Sequence, residues 1–153
     1  MNSFDALEAF AKQLDRHITT AYHTKVVLTP SSINEKGVVI KVSLLKSFVQ
    51  SEPPAARSSR TLRVRVSVAG TAESQTGFKQ ALETIEALDD YFNKQNLRLE
   101  APIGNGQIRY VPNSRIIQIV SQEDSFIDNP DSIAVQDVQD DRIVIITIPR
   151  GGE

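Results

Sequence analysis

Two histidines, two pairs of adjacent carboxylates and one glycine-rich turn are the groups in this chain with the chemistry to act on a substrate. His17 and His23 stand six residues apart. Side chains meet on a helix at spacings of three or four, so this pair shares no helical face, and a metal site built on it needs a fold-back and a third ligand. Both read as polar surface residues. The pairs Asp89-Asp90 and Asp140-Asp141 would suit acid–base or magnesium chemistry if they converged, but neighbouring side chains diverge on helices and strands alike. They read as solvated. Gly104-Asn105-Gly106 offers backbone amides to a phosphate, yet no third glycine, phosphate-binding lysine or following helix accompanies it, and it reads as a turn. There is no G-x-S-x-G elbow, and the absence of cysteine excludes a thiolate nucleophile, a disulfide framework, a zinc–thiolate site and an iron–sulfur cluster. The expectation is a protein without catalysis, metal or cofactor.

Charge is the feature that departs from the average. From Glu123 to Asp141 the chain carries seven acids and no lysine or arginine, among them Asp124, Asp128, Asp131 and Asp137. That segment contributes −7, which against a whole-chain charge of −2 leaves +5 elsewhere. Part of the excess is concentrated in Arg57, Arg60, Arg63 and Arg65, with no acid among them. Two readings compete. In one, both groups serve solubility on solvated surfaces. In the other, they lie on different surfaces and meet across neighbouring copies, a head-to-tail contact that closes into a ring when the rotation allows, so that Arg57, Arg60, Arg63, Arg65, Asp124, Asp128, Asp131 and Asp137 form a subunit interface. Binding of a nucleic-acid backbone by the arginines is disfavoured by the lack of nearby aromatic residues and by the acidic total.

The elements that position these groups follow from periodicity. Ser3 is placed to cap a helix over about residues 4 to 21, with Phe4, Leu7, Phe10, Leu14, Ile18 and Ala21 on one stripe. Lys25 to Thr29 is a short β-branched strand, and Pro30 with Asn34 and Gly37 predicts a hairpin into a second strand over Gly37 to Lys46. Residues 47 to 60, SFVQSEPPAARSSR, have the composition of a mobile loop between paired strands. Leu62, Val64, Val66 and Val68 then alternate with Thr61, Arg63, Arg65 and Ser67, so one face of that strand packs and the other meets water or a partner. Ser74 or Thr76 opens a second helix through Phe92. Short strands are expected over Leu97–Glu100, Gln107–Val111 and Arg115–Ser121, and Arg142–Ile148, apolar on both parities, reads as a strand inside the sheet. Residues 149 to 153 read as a loose tail.

The 153 residues, 40% hydrophobic and 24% charged, fit a single globular domain of the α+β class, a mixed, mainly antiparallel sheet with two helices packed on one face. No segment approaches the roughly 18 consecutive apolar residues of a membrane span, and the amino terminus lacks the order of a secretory signal. A cytoplasmic protein without a membrane partner is expected.

The helix DALEAFAKQLDRHI, the Pro-containing SEPPAARSSR, the alternating TLRVRVSV, the helix GFKQALETIEALDDYF and the closing strands together resemble the phage tail terminators, the lambda-type terminator and the cap proteins of contractile tails. The resemblance spans most of the chain and rests on element order. It implies a six-membered ring of identical subunits on the end of a completed tail tube, stopping polymerisation, with tube or sheath protein and head–tail connector as partners. Within a virus or phage-like particle the mechanism is steric and electrostatic. A second reading from the residues is a small ferredoxin-like ligand-binding module with Phe10, Tyr91 and Phe92 lining a pocket between helices and sheet.

Overall fold

Asn2 opens the first helix: its side-chain oxygen accepts the Asp5 amide at 2.8 Å, and α1 runs Ser3–His17. Asp5 in the first turn and Arg16 and His17 in the last complement the helix dipole. The cap lies one residue before the expected Ser3, whose hydroxyl instead meets that of Ser47 at 2.9 Å. The helix also stops short of Ala21. Ile18, Thr19 and Thr20 are β-branched and weak helix formers, and the Thr20 hydroxyl donates to the Tyr22 carbonyl. Leu7, Phe10 and Leu14 of the expected stripe are buried, while Phe4 is 61% exposed.

The computed structural model describes residues 1–30, 37–52, 57–121, 125–127 and 135–149. After α1 come β1 (Val26–Thr29), β2 (Val39–Glu52), β3 (Arg57–Ala72), α2 (Gln75–Phe92), β4 (Glu100–Gly104), β5 (Gln107–Tyr110), β6 (Arg115–Ser121), β7 (Phe126–Ile127) and β8 (Gln136–Pro149). The main sheet has the order β1-β2-β3-β8-β6, with β7 also on β8, and β4 and β5 form a separate ribbon. Every pairing is antiparallel except β1 with β2.

That exception corrects the expected hairpin. Val26 lies beside Ile40 and Thr29 beside Ser43, both strands running the same way. Pro30, Asn34 and Gly37 signal that the chain changes direction but carry no information about the partner. A four-residue strand spans only about 13 Å, and the short connection can retrace it. The antiparallel partner of β2 is β3, in register from Val39↔Ala69 to Glu52↔Arg57 with one shift between Leu44 and Lys46. The loop expected over about 47–60 is correspondingly narrower, because residues 47–52 and 57–60 belong to these strands and 53–56 lie outside the described residues. Polar residues such as Ser51 and Ser58 extend a ladder already in register without supplying burial of their own.

β8 lies between β3 and β6, as its apolar run predicts, but begins six residues earlier, at Gln136. The tail beyond residue 149 lies outside the described residues. Val144, Ile146 and Ile148 of β8, Leu62, Val64, Val66 and Val68 of β3, and Ile40 and Val42 of β2 are buried in one cluster with Phe10 and Leu14 of α1 and Ala81, Ile85 and Leu88 of α2. The architecture is therefore α+β, a mixed and mainly antiparallel sheet with both helices on one face. Where β3 passes the start of β2, Gly70 has φ +138° and a Cβ there would sit 2.0 Å from the Gly37 carbonyl oxygen, so the crossing requires glycine. Among the described residues no helix is long and apolar enough to cross a membrane.

Candidate interaction face and sheet edges

Alternation along β3 decides what the open side of the sheet carries. Leu62, Val64, Val66 and Val68 are fully buried beneath the helices, which turns Arg63 and Arg65 outward, where both are exposed. Among the described residues neither guanidinium has an ion-pair or hydrogen-bond partner. Strand register places Lys46 of β2 and Ile145 of β8 on either side of Arg63, with Ile117 of β6 beyond Ile145. Arg65 likewise lies between Ser43 and Ile143. Across the strands the open face therefore grades from cationic to apolar. Lys46 Nζ lies 5.5 Å from the centroid of the Phe48 ring, on the cationic side.

The other expected interface residues separate. Arg60 falls on the opposite parity, half-buried, and donates to Ser47 Oγ at 3.0 Å beside the Ser3 hydroxyl at the start of α1. Arg57 pairs with Glu52 through its backbone at the end of β3, and its side chain lies outside the described residues. Asp137 shares the open face with Arg63 and Arg65 but stands opposite Thr71, whose hydroxyl donates to it at 3.4 Å. That is about 20 Å along β3 from Arg65. Asp124, Asp128 and Asp131 lie outside the described residues. The structure thus brings Arg63 and Arg65 together and sets Asp137 at the far end of the same face.

The acids read as solvated are partly structural. Asp140 and Arg142 occupy the helix-facing parity of β8, and both are buried. Arg142 Nη2 lies 2.8 Å from Asp140, Nη1 lies 2.8 Å from Asp89 of α2, and Ser125 donates to Asp140 at 2.7 Å. A buried guanidinium is costly unless paired, and here it is paired from two elements. Asp141 faces the open side, accepting from Ser67 at 2.6 Å. The signal in sequence was the parity: Asp140 and Arg142 fall in phase with Val138, Val144 and Ile146.

A second polar cluster joins α1 to the ribbon. His17 Nε2 lies 2.8 and 2.9 Å from the Glu100 carboxylate oxygens, and Arg16 donates to the same carboxylate at 3.2 Å. The imidazole stacks on Tyr91 with centroids 5.5 Å apart, and the Tyr91 hydroxyl accepts from Gln13 at 2.7 Å. Burial outweighs that hydrogen bond and pushes the Tyr91 hydroxyl up from 10.0 to about 12. His23 turns instead towards Asp15, 3.6 Å away. The two histidines serve different partners.

No protein-family model and no curated protein matches the chain.

Phe10, Tyr91 and Phe92, the rings considered for a ligand pocket, pack on one another: the Phe10–Phe92 centroids are 6.4 Å apart and those of Tyr91 and Phe92 5.3 Å. Phe10 is fully buried. An open depression lies elsewhere, beside the start of α2, between Gly37, Gly70, Glu73 and Gln80.

Exposed apolar side chains gather at three places that periodicity did not mark. Leu44, Leu45 and Val49 line the outer part of β2, Ile117 and Ile119 lie on β6, and Ile103, Ile108 and Tyr110 stand on the β4–β5 ribbon. β1 covers β2 only as far as Ser43, so from Leu44 onward no described strand continues the ladder on that side.

Proposed function

We propose that this chain is a structural assembly protein that works by fitting against copies of itself and a larger scaffold, closing into a ring on the end of a phage or phage-like tail tube. The ring stops further addition of tube subunits and offers its other surface to the head connector. No bond is made or broken in this account. The observation that carries it is the uncovered side of the sheet, where exposed Lys46, Arg63 and Arg65 lie beside Ile143, Ile145 and Ile117. A surface of that kind suits a flat protein partner, with apolar side chains supplying burial and unpaired cations setting register. The resemblance in element order to tail terminators supplies the identity of the scaffold.

Negative-stain images of the purified protein, alone and mixed with tail tubes, test the proposal. Rings seated on tube ends are the expected result. Bare tube ends at saturating protein would overturn it.

A further inference from the structure

Building on the proposed self-assembly, we infer that subunits join edge to edge, the outer edge of β2 in one copy pairing with the outer edge of β6 in the next. The two strands are on opposite sides of the sheet, separated by β3 and β8. On β2, the Ile40 amide donates to the Lys25 carbonyl on the β1 side, so alternate residues from Ile40 direct their backbone groups away from β3. The register shift between Leu44 and Lys46 moves that outward set onto Ser47 and Val49. From Leu44 to Glu52 this edge runs roughly 30 Å with no described partner. On β6, the Ile116 amide is taken by the Leu97 carbonyl at 2.9 Å, but from Ile117 to Ser121 no described strand lies on the outer side.

Free edges are usually protected by covering elements, inward charges or proline. Here both carry exposed aliphatic residues instead: Leu44, Leu45 and Val49 on one, Ile117 and Ile119 on the other. Charge chooses between the ways of joining them. Lys41, Lys46, Arg63 and Arg65 belong to the β2 side of the sheet, whereas Asp137 and Asp141 lie on β8, with Ile127 of β7 opposite Asp137. Two β2 edges meeting about a two-fold axis would set cations against cations. Joining β2 to β6 sets the cationic side of one copy towards the acidic side of the next. Such a contact is heterologous, and repetition of it yields a closed ring or an open filament.

The test uses Val49→Lys, which places a charge on the β2 edge, and Ile119→Lys, which does the same on the β6 edge. Both positions are exposed, and unchanged circular dichroism and melting temperature verify the fold. Each variant alone should associate at least about tenfold more weakly than wild type in sedimentation equilibrium. An equimolar mixture retains one intact edge of each kind, so it should form dimers and nothing larger. Wild-type association by either variant alone overturns the β2–β6 seam while leaving self-assembly standing. Loss of association in Val49→Lys only would assign the contact to two β2 edges, also overturning the seam. A wild-type chain that stays monomeric at every concentration removes both the seam and the self-assembly on which it rests.

Discussion

Arg142 in the middle of β8 and Asp89 on α2 meet at 2.8 Å, although the arginine side chain is almost wholly buried and the aspartate is 60% exposed. The aspartate reaches in from the helix surface to hold a cation that the sheet has placed beneath the helix. With Asp140 on the other amino group, this contact ties α2 to the central strand at a point where neighbouring positions of β8 are aliphatic.

Substituting Arg142 with methionine leaves Asp140 buried without its counter-charge. A loss of about 3–5 kcal/mol is expected, read from the midpoint of urea unfolding. Asp89→Ala leaves Asp140 in place and should cost less, about 1–3 kcal/mol. Equal losses would contradict the assignment of Asp140 as the partner whose burial makes the pair necessary.

Tyr91 sets an alkaline limit. Its hydroxyl ionises near 10.0 in an unfolded chain and at about 12 in the fold, because burial disfavours the tyrosinate. Above pH 10 the unfolded state therefore gives up this proton first, and stability falls as pH rises towards 12, by about 3 kcal/mol in all. Below pH 10 the contribution is fully present. In Tyr91→Phe that leg of the stability profile should flatten, and an ultraviolet titration of the native protein should show one tyrosinate appearing only around pH 12.

Gly70→Ala sets a methyl group against the Gly37 carbonyl oxygen at a backbone angle that side chains rarely adopt. A loss of at least about 2 kcal/mol is expected on thermal unfolding. Gly104→Ala provides the contrast: its φ is also positive, but a Cβ there meets nothing within 4 Å, so only the backbone cost applies.

Reversing Arg63 and Arg65 to glutamate should leave stability within about 0.5 kcal/mol, because both side chains are exposed, while weakening self-association. Analytical ultracentrifugation beside a melting curve separates the two effects. Association equal to wild type would remove the open face of β3 from the account.

Legibility in the sequence followed burial. Leu7, Phe10 and Leu14 at helical spacing, and Leu62 to Val68 at strand spacing, answer to one large term, the apolar area withdrawn from water, and both were readable. The partner of β1 was not, because Pro30 and Gly37 encode local backbone geometry and strand choice depends on distant residues. Ser47 to Arg60 looked like a loop because pairing there rests on backbone hydrogen bonds, which composition does not report. Asp140 and Arg142 were hidden by their charge: each is unfavourable in a core alone, and only β8, α2 and β6 together make the pair tolerable. Of the expected interface, the outward aim of Arg63 and Arg65 came from alternation. The free edges of β2 and β6 required the strand order, which periodicity does not contain.

Sedimentation equilibrium of the wild-type chain over a wide range of concentration tests self-assembly most directly. The account predicts an average mass that climbs from the 16.9 kDa protomer to a single closed multiple of it. A mass that stays at the protomer value to the highest concentration, with and without tail tubes, would contradict it.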